Sequence, residues 1–140
     1  YVKGAPEVIV GMCSRTFDLD GNVVPLLDDQ TGYILRDILV QKFTKIGFRT
    51  LAFAYKDFTL EEYQELKEQT NNFERENDRS TLESQLTFVG VFALYDQLRE
   101  KVAKAVQFAG IGHMTVKKVS GDHIETAKAA DLQADLITEA

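Results

Sequence analysis

The chain has 140 residues and a mass of 15.8 kDa, with 44% hydrophobic residues, 27% charged residues and a formal charge of −6. That balance excludes wholesale disorder and suits one ordinary domain, or pieces of two, able to bury roughly two-thirds of the unfolded surface. Scattered lysines and arginines at pI ≈ 4.9 exclude a nucleic-acid face, and the apolar runs fall far short of the roughly 18 residues that a membrane helix needs, so no direct membrane contact is expected. A single cysteine, Cys13, excludes an internal disulfide framework and a cysteine-based zinc site, and points to a reducing compartment.

In chain order, residues 1–7 (Tyr-Val-Lys-Gly-Ala-Pro-Glu) open abruptly, as though inside a strand of something longer. Residues 8–13 form a short apolar stretch after a Gly-Ala-Pro turn, equally open to helix or strand. Asp18-Leu19-Asp20-Gly21-Asn22 is a hairpin turn leading to Val23 and Val24 and stopped by Pro25. Tyr33, Ile34, Ile38, Leu39, Phe43 and Ile46 recur at three and four, the stripe of an amphipathic helix, with Gly47 placed as its left-handed cap.

Residues 48–58 alternate Leu51, Phe53 and Tyr55 and read as a strand. Thr59-Leu60-Glu61-Glu62 has capping-box form ahead of a polar helix carrying Tyr63 and Leu66. Residues 71–84 are highly charged and read as a solvated connection. Residues 86–95 are continuously apolar, as in a strand covered on both faces. Leu98, Val102, Ala105, Val106 and Ala109 predict a helix closed by Gly110, followed by a strand over 115–119 and a helix from about His123. This β-α-β-α order favours a right-handed crossover in a parallel sheet. A boundary near residue 85 separates a mixed α+β part from an α/β part.

Several residues can carry chemistry. Ser120-Gly121-Asp122 lies where a strand gives way to a helix, a place suited to a phosphate, although an ordinary N-cap by Ser120 or Asp122 accounts for the same pattern. Arg49, just after the helix-ending Gly47, is well placed to grip a phosphate or to make a surface salt bridge. Lys3, before Gly4 and a rigid turn, can face an anionic or aromatic ligand or simply be solvated. Asp96 reads as a helix cap. His113 and His123 lack neighbours at metal-ligand spacing, and Cys13 has no flanking base and reads as a packed small hydrophobe.

Together and in order, Lys3-Gly4-Ala5-Pro6-Glu7 with Cys13, the run from Phe48 through Asp57, Leu86-Thr87-Phe88-Val89-Gly90, Asp96-Gln97-Leu98-Arg99, Ala109-Gly110-Ile111 and Ser120-Gly121-Asp122 with Thr126-Ala127 resemble P-type cation-transporting ATPases. The run from Arg49 to Phe58 is most similar to calcium pumps of the plasma-membrane type. The resemblance implies an α/β chain in two parts. Residues 1–85 would be the later part of the nucleotide-binding (N) domain. Residues 86–140 would open a phosphorylation (P) domain, a doubly wound haloacid-dehalogenase-like sheet.

It further implies ATP and Mg2+ as cofactors, with Lys3 and Gly4 at the adenine pocket and Arg49 on the ATP phosphates. Ser120, Gly121 and Asp122 would be the loop meeting the phosphoryl group, and Asp96 and Arg99 the interdomain hinge. The expected partners are ATP and the remaining N, P, actuator and membrane domains of a parent chain. The setting is the cytoplasmic portion of an integral membrane protein. The sequence contains neither the Asp-Lys-Thr-Gly-Thr motif with the phosphorylated aspartate nor the Gly-Asp-Gly-x-Asn-Asp magnesium motif, so no catalytic or metal residue is expected within these 140. The alternatives are a stand-alone, non-catalytic nucleotide-binding or scaffold module derived from such a pump, and a piece of a pump for another cation.

Four departures from the family pattern stand out. Gln97 replaces the hinge proline, Ser120 replaces threonine, Gly112-His113-Met114 is an insertion, and Lys117 and Lys118 fall in a strand expected to be apolar. Burying both lysines is too costly, so either one lies on an exposed face or this half is poorly formed.

Overall fold

A computed structural model describes residues 1–35 and 42–138. Five strands form one open sheet: β1 (Val2–Gly4), β2 (Cys13–Phe17), β3 (Val23–Pro25), β4 (Arg49–Tyr55) and β5 (Leu86–Leu94), in the order β1-β4-β5-β2-β3. Helices α1 (Pro6–Gly11), α2 (Asp28–Tyr33), α3 (Leu60–Gln69), α4 (Glu76–Arg79), α5 (Val102–Ile111) and α6 (Ile124–Gln133) complete the mixed α/β fold expected from the sequence. The chain packs as two compact units. One comprises Tyr1–Thr31 with Leu51–Val91, the other Gly32–Thr50 with Phe92–Ala140. Each unit is assembled from two separate segments of the chain.

In the first unit, the ambiguous stretch at 8–13 resolves into helix and then strand. Pro6 opens α1 at a position whose N–H needs no partner, and the chain turns at Met12 into β2. Ile9 and Val10 face the core, and a Cβ on Gly4 would stand 3.3 Å from Ile9 Cδ1, so glycine lets β1 approach α1 closely. The predicted hairpin forms: the Asp18 carboxylate accepts the backbone N–H groups of Asp20 and Asn22, and Phe17 pairs with Val23 antiparallel. β1 runs antiparallel to β4, with Lys3 opposite Phe53, and β2 runs parallel to β5. Among the described residues of this unit, Ile9, Val10, Ala52, Ala54, Leu86 and Phe88 are buried apolar side chains, with Pro6 beside them.

The capping box at Thr59 forms with both reciprocal bonds to Glu62. The polar stretch after α3 carries only short helical turns, and it is pinned by the Lys56 ammonium, which donates to the carbonyls of Thr81 and Ser84. Strand β5 departs from expectation. Leu86, Thr87 and Phe88 are buried, yet Phe92 and Leu94 are more than half exposed, so its second part is not covered on both faces.

Of the helix expected across residues 33–46, the centre, including Ile38 and Leu39, lies outside the described residues. Thr44–Ile46 forms a 3-10 turn, stopped by Gly47 at φ +86°, a left-handed cap as the sequence indicates. Helix α5 begins at Val102 rather than Leu98 and runs past Gly110 to Ile111, with Gly112 as its cap. The strand expected over 115–119 does not form, and the β-α-β-α crossover is lost with it. These five residues are exposed and irregular, and the two lysines explain why: a strand there would have to carry an ammonium into a covered sheet. Helix α6 follows and packs on the Thr44–Ile46 turn. Thr126 Oγ1 donates to the Phe48 carbonyl at 3.0 Å, and both Thr44 and Thr126 are buried.

Candidate functional site

Arg49 and Asp122 are 73 residues apart in sequence, and the second unit brings them together. Gly47 ends the turn and sends the chain into β4, so that Arg49 is the first residue of the strand. From the other side, α6 is anchored to Phe48 by Thr126, which fixes the loop just ahead of α6 beside Arg49. Arg49 Nε lies 3.1 Å from Asp122 Oδ1 and Nη2 donates to Oδ2 at 3.2 Å, the two-point geometry that favours arginine over lysine.

Within the loop, Ser120 Oγ donates to Asp122 Oδ2 at 2.9 Å and accepts the Asp122 backbone N–H at 3.1 Å. The Ser120 hydroxyl and then the Arg49 guanidinium hold the Asp122 carboxyl below the usual carboxylate range. Asp122 takes two of the five N–H donors of the guanidinium, and Arg49 remains 57% exposed, so its other donors can reach an anion from solvent.

The first turn of α6 is capped differently from the sequence reading. Neither Ser120 nor Asp122 is the N-cap. His123 holds that place, its Nδ1 accepting the Glu125 N–H at 3.3 Å, a role that requires Nδ1 to be unprotonated. The sequence pattern starts a helix at about His123, and that position one residue before the helical run is the signal for the cap. Asp96 caps nothing: it lies in an irregular exposed stretch with Arg99, six residues ahead of α5, whose N-cap is Lys101.

Lys3 is exposed on β1 and Gly4 ends that strand; both belong to the first unit. The Cys13 thiol donates to the Ile9 carbonyl at 3.1 Å and burial pushes its pKa up to about 11, which suits a packed side chain rather than a nucleophile. Among the described residues no three His, Cys, Asp or Glu side chains stand close enough to hold a metal ion. Among those residues, too, no helix is long and apolar enough to cross a membrane.

The sequence profile of the P-type ATPase cytoplasmic domain N matches residues 1–101. The chain belongs to the P-type ATPase family. It is 34% identical over 139 residues to a probable calcium-transporting ATPase 8, plasma membrane-type, of Oryza sativa subsp. japonica, which covers 99% of this chain and 12% of the rice protein. Sodium/potassium exporting P-type ATPase 1 of Saccharomyces cerevisiae is 35% identical over 133 residues, covering 92% of this chain and 11% of the yeast protein. Plasma membrane calcium-transporting ATPase 4 of Homo sapiens is 30% identical over 138 residues, 99% of this chain and 10% of the human protein. The chain therefore spans about a tenth of the length of these relatives.

Proposed function

We propose that this chain is the nucleotide-side cytoplasmic portion of a P-type pump that transports calcium, with residues 1–85 from the N domain and residues 86–140 from the P domain. The pump would form an aspartyl-phosphate from MgATP and hydrolyse it, the attacked aspartate and the magnesium ligands being supplied from outside these 140 residues. The observation that carries the reading is the two-point contact between Arg49 and the Asp122 of the Ser120-Gly121-Asp122 loop. It puts an exposed guanidinium beside a hydroxyl and the start of a helix, three kinds of group that favour phosphoryl oxygens. In this reading Lys3 and Gly4 border the base, Arg49 and the loop meet the phosphates, and Asp96 and Arg99 serve the hinge.

The test is to follow amide signals of the 140-residue chain while adding ATP or adenosine. ATP is expected to move Arg49, Gly121 and Asp122, and adenosine only the neighbourhood of Lys3. Arg49→Ala is expected to erase the preference for the triphosphate. If ATP and adenosine bind equally well before and after that change, Arg49 has no part in the site.

A sodium or potassium cargo is the competing reading, since the yeast exporter is as similar to this chain as the rice calcium pump. Phosphoenzyme formation by the parent pump with each ion in turn separates the two. A stand-alone module would instead show a native chain near 15.8 kDa in the soluble fraction.

A further inference from the structure

The segment ahead of the Ser120-Gly121-Asp122 loop has no sheet to hold it. Residues 111–120 are all exposed, and 114–121 form no helix or strand. One side chain nevertheless ties the segment down. Lys118 Nζ lies 2.7 Å from Asp131 Oδ1 and donates to the Ala127 carbonyl at 3.1 Å, so a single ammonium grips two successive turns of α6. Both partners are substantially covered, with the Lys118 side chain 30% and the Asp131 side chain 21% exposed. Helix α6 is in turn fixed to Phe48 through Thr126, one residue before Arg49. Lys118 therefore closes a circuit: Arg49 strand, α6, Lys118, and two residues later Ser120.

We propose that Lys118 is a positioning residue that replaces the missing strand pairing and holds Ser120 and Asp122 against Arg49. It rests on the phosphate role proposed for that loop. The charged groups around Asp122 are Arg49, in direct contact, and Lys118, whose charge also acts on the carboxyl.

The experiment compares Lys118→Met, Lys118→Arg and Asp131→Asn in the 140-residue chain. Amide signals of residues 120–122 and the carboxyl titration of Asp122 are read first without nucleotide, and ATP binding is read afterwards. Asp131→Asn keeps the lysine's charge and its bond to the Ala127 carbonyl and removes the ion pair. It is expected to move the 120–122 signals in the same direction as Lys118→Met but less far, and the double variant no further than Lys118→Met alone. Each is expected to weaken ATP binding about fivefold, the loss of one partly covered ion pair, and Lys118→Arg to restore most of it.

Unchanged signals of Thr126 and Ala129 exclude general unfolding of α6 as the cause. The tether is overturned if Asp131→Asn leaves the 120–122 signals and the Asp122 titration as in the wild type. Failure of wild-type chain to bind ATP would sink the proposed function instead, while the nucleotide-free signals would still decide the tether.

Discussion

The two compact units are held by different chemistry. In the first, apolar side chains from α1, β4 and β5 are buried together, Leu86 and Val10 almost completely. In the second, the buried side chains among the described residues are Thr44, Thr126 and Ala134, and beside the Phe48–Tyr95 ring contact its long-range ties include Arg49 to Asp122, Lys118 to Asp131, Gln107 to Asp135 and Thr126 to Phe48. Burial of apolar area is insensitive to salt and to pH, whereas exposed ion pairs are screened and titrate. The unit with the candidate phosphate loop is thus the one whose geometry a charged ligand can most readily alter.

The largest expected effect tests the apolar side. Leu86→Ala should cost about 2–5 kcal/mol of the first unit's stability, because a fully buried leucine leaves a cavity that the strand cannot close. Urea unfolding followed by Tyr55, which packs on Phe17, reads it, and the loss should be the same at low and high salt. A salt-dependent loss would break the contrast between the units.

Thr126→Val comes next on the polar side. It removes the donor to the Phe48 carbonyl and should cost about 1–3 kcal/mol, read as earlier loss of α6 helicity. A smaller effect, about 1 kcal/mol, is expected for Thr59→Ala, which deletes one arm of the capping box on α3, and it should leave α6 untouched.

The last prediction concerns acid. Asp122 is held below its ordinary carboxyl pKa, so its contribution is present in full above that ordinary value, near 3.9, and is lost as pH falls through the lower folded value. Because Arg49 is more than half exposed, the contribution is at most a few tenths of a kcal/mol. It should appear as acid loosening of residues 120–122 and disappear in Asp122→Asn. Loosening that begins near neutral pH in wild-type chain would point to another group.

What could be read from the sequence was local. The turn at Asp18, the glycine stop at Gly47 and the capping box at Thr59 each depend on residues within four positions of one another, and each forms as the pattern indicates. The half-exposed β5 and the missing strand over 115–119 depend on what lies beside them in space, which no local pattern carries. The candidate site divides the same way. Arg49 and Ser120-Gly121-Asp122 were identifiable separately, but their contact across 73 residues was not, and neither was the turn of Lys118 toward α6. The lysines signalled an anomaly in the strand; the side chain's reach supplied the outcome.

Cys13 offers a use of a different kind. Its thiol donates to the last turn of α1 and burial pushes its pKa up to about 11, so the reactive thiolate is scarce near neutral pH while the contact holds. Openings that release β2 from α1 should therefore speed alkylation of the chain's one cysteine, which is half-buried. Its rate against a free thiol becomes a clock for the breathing of the apolar unit, running without any added label and blind to events at the phosphate loop.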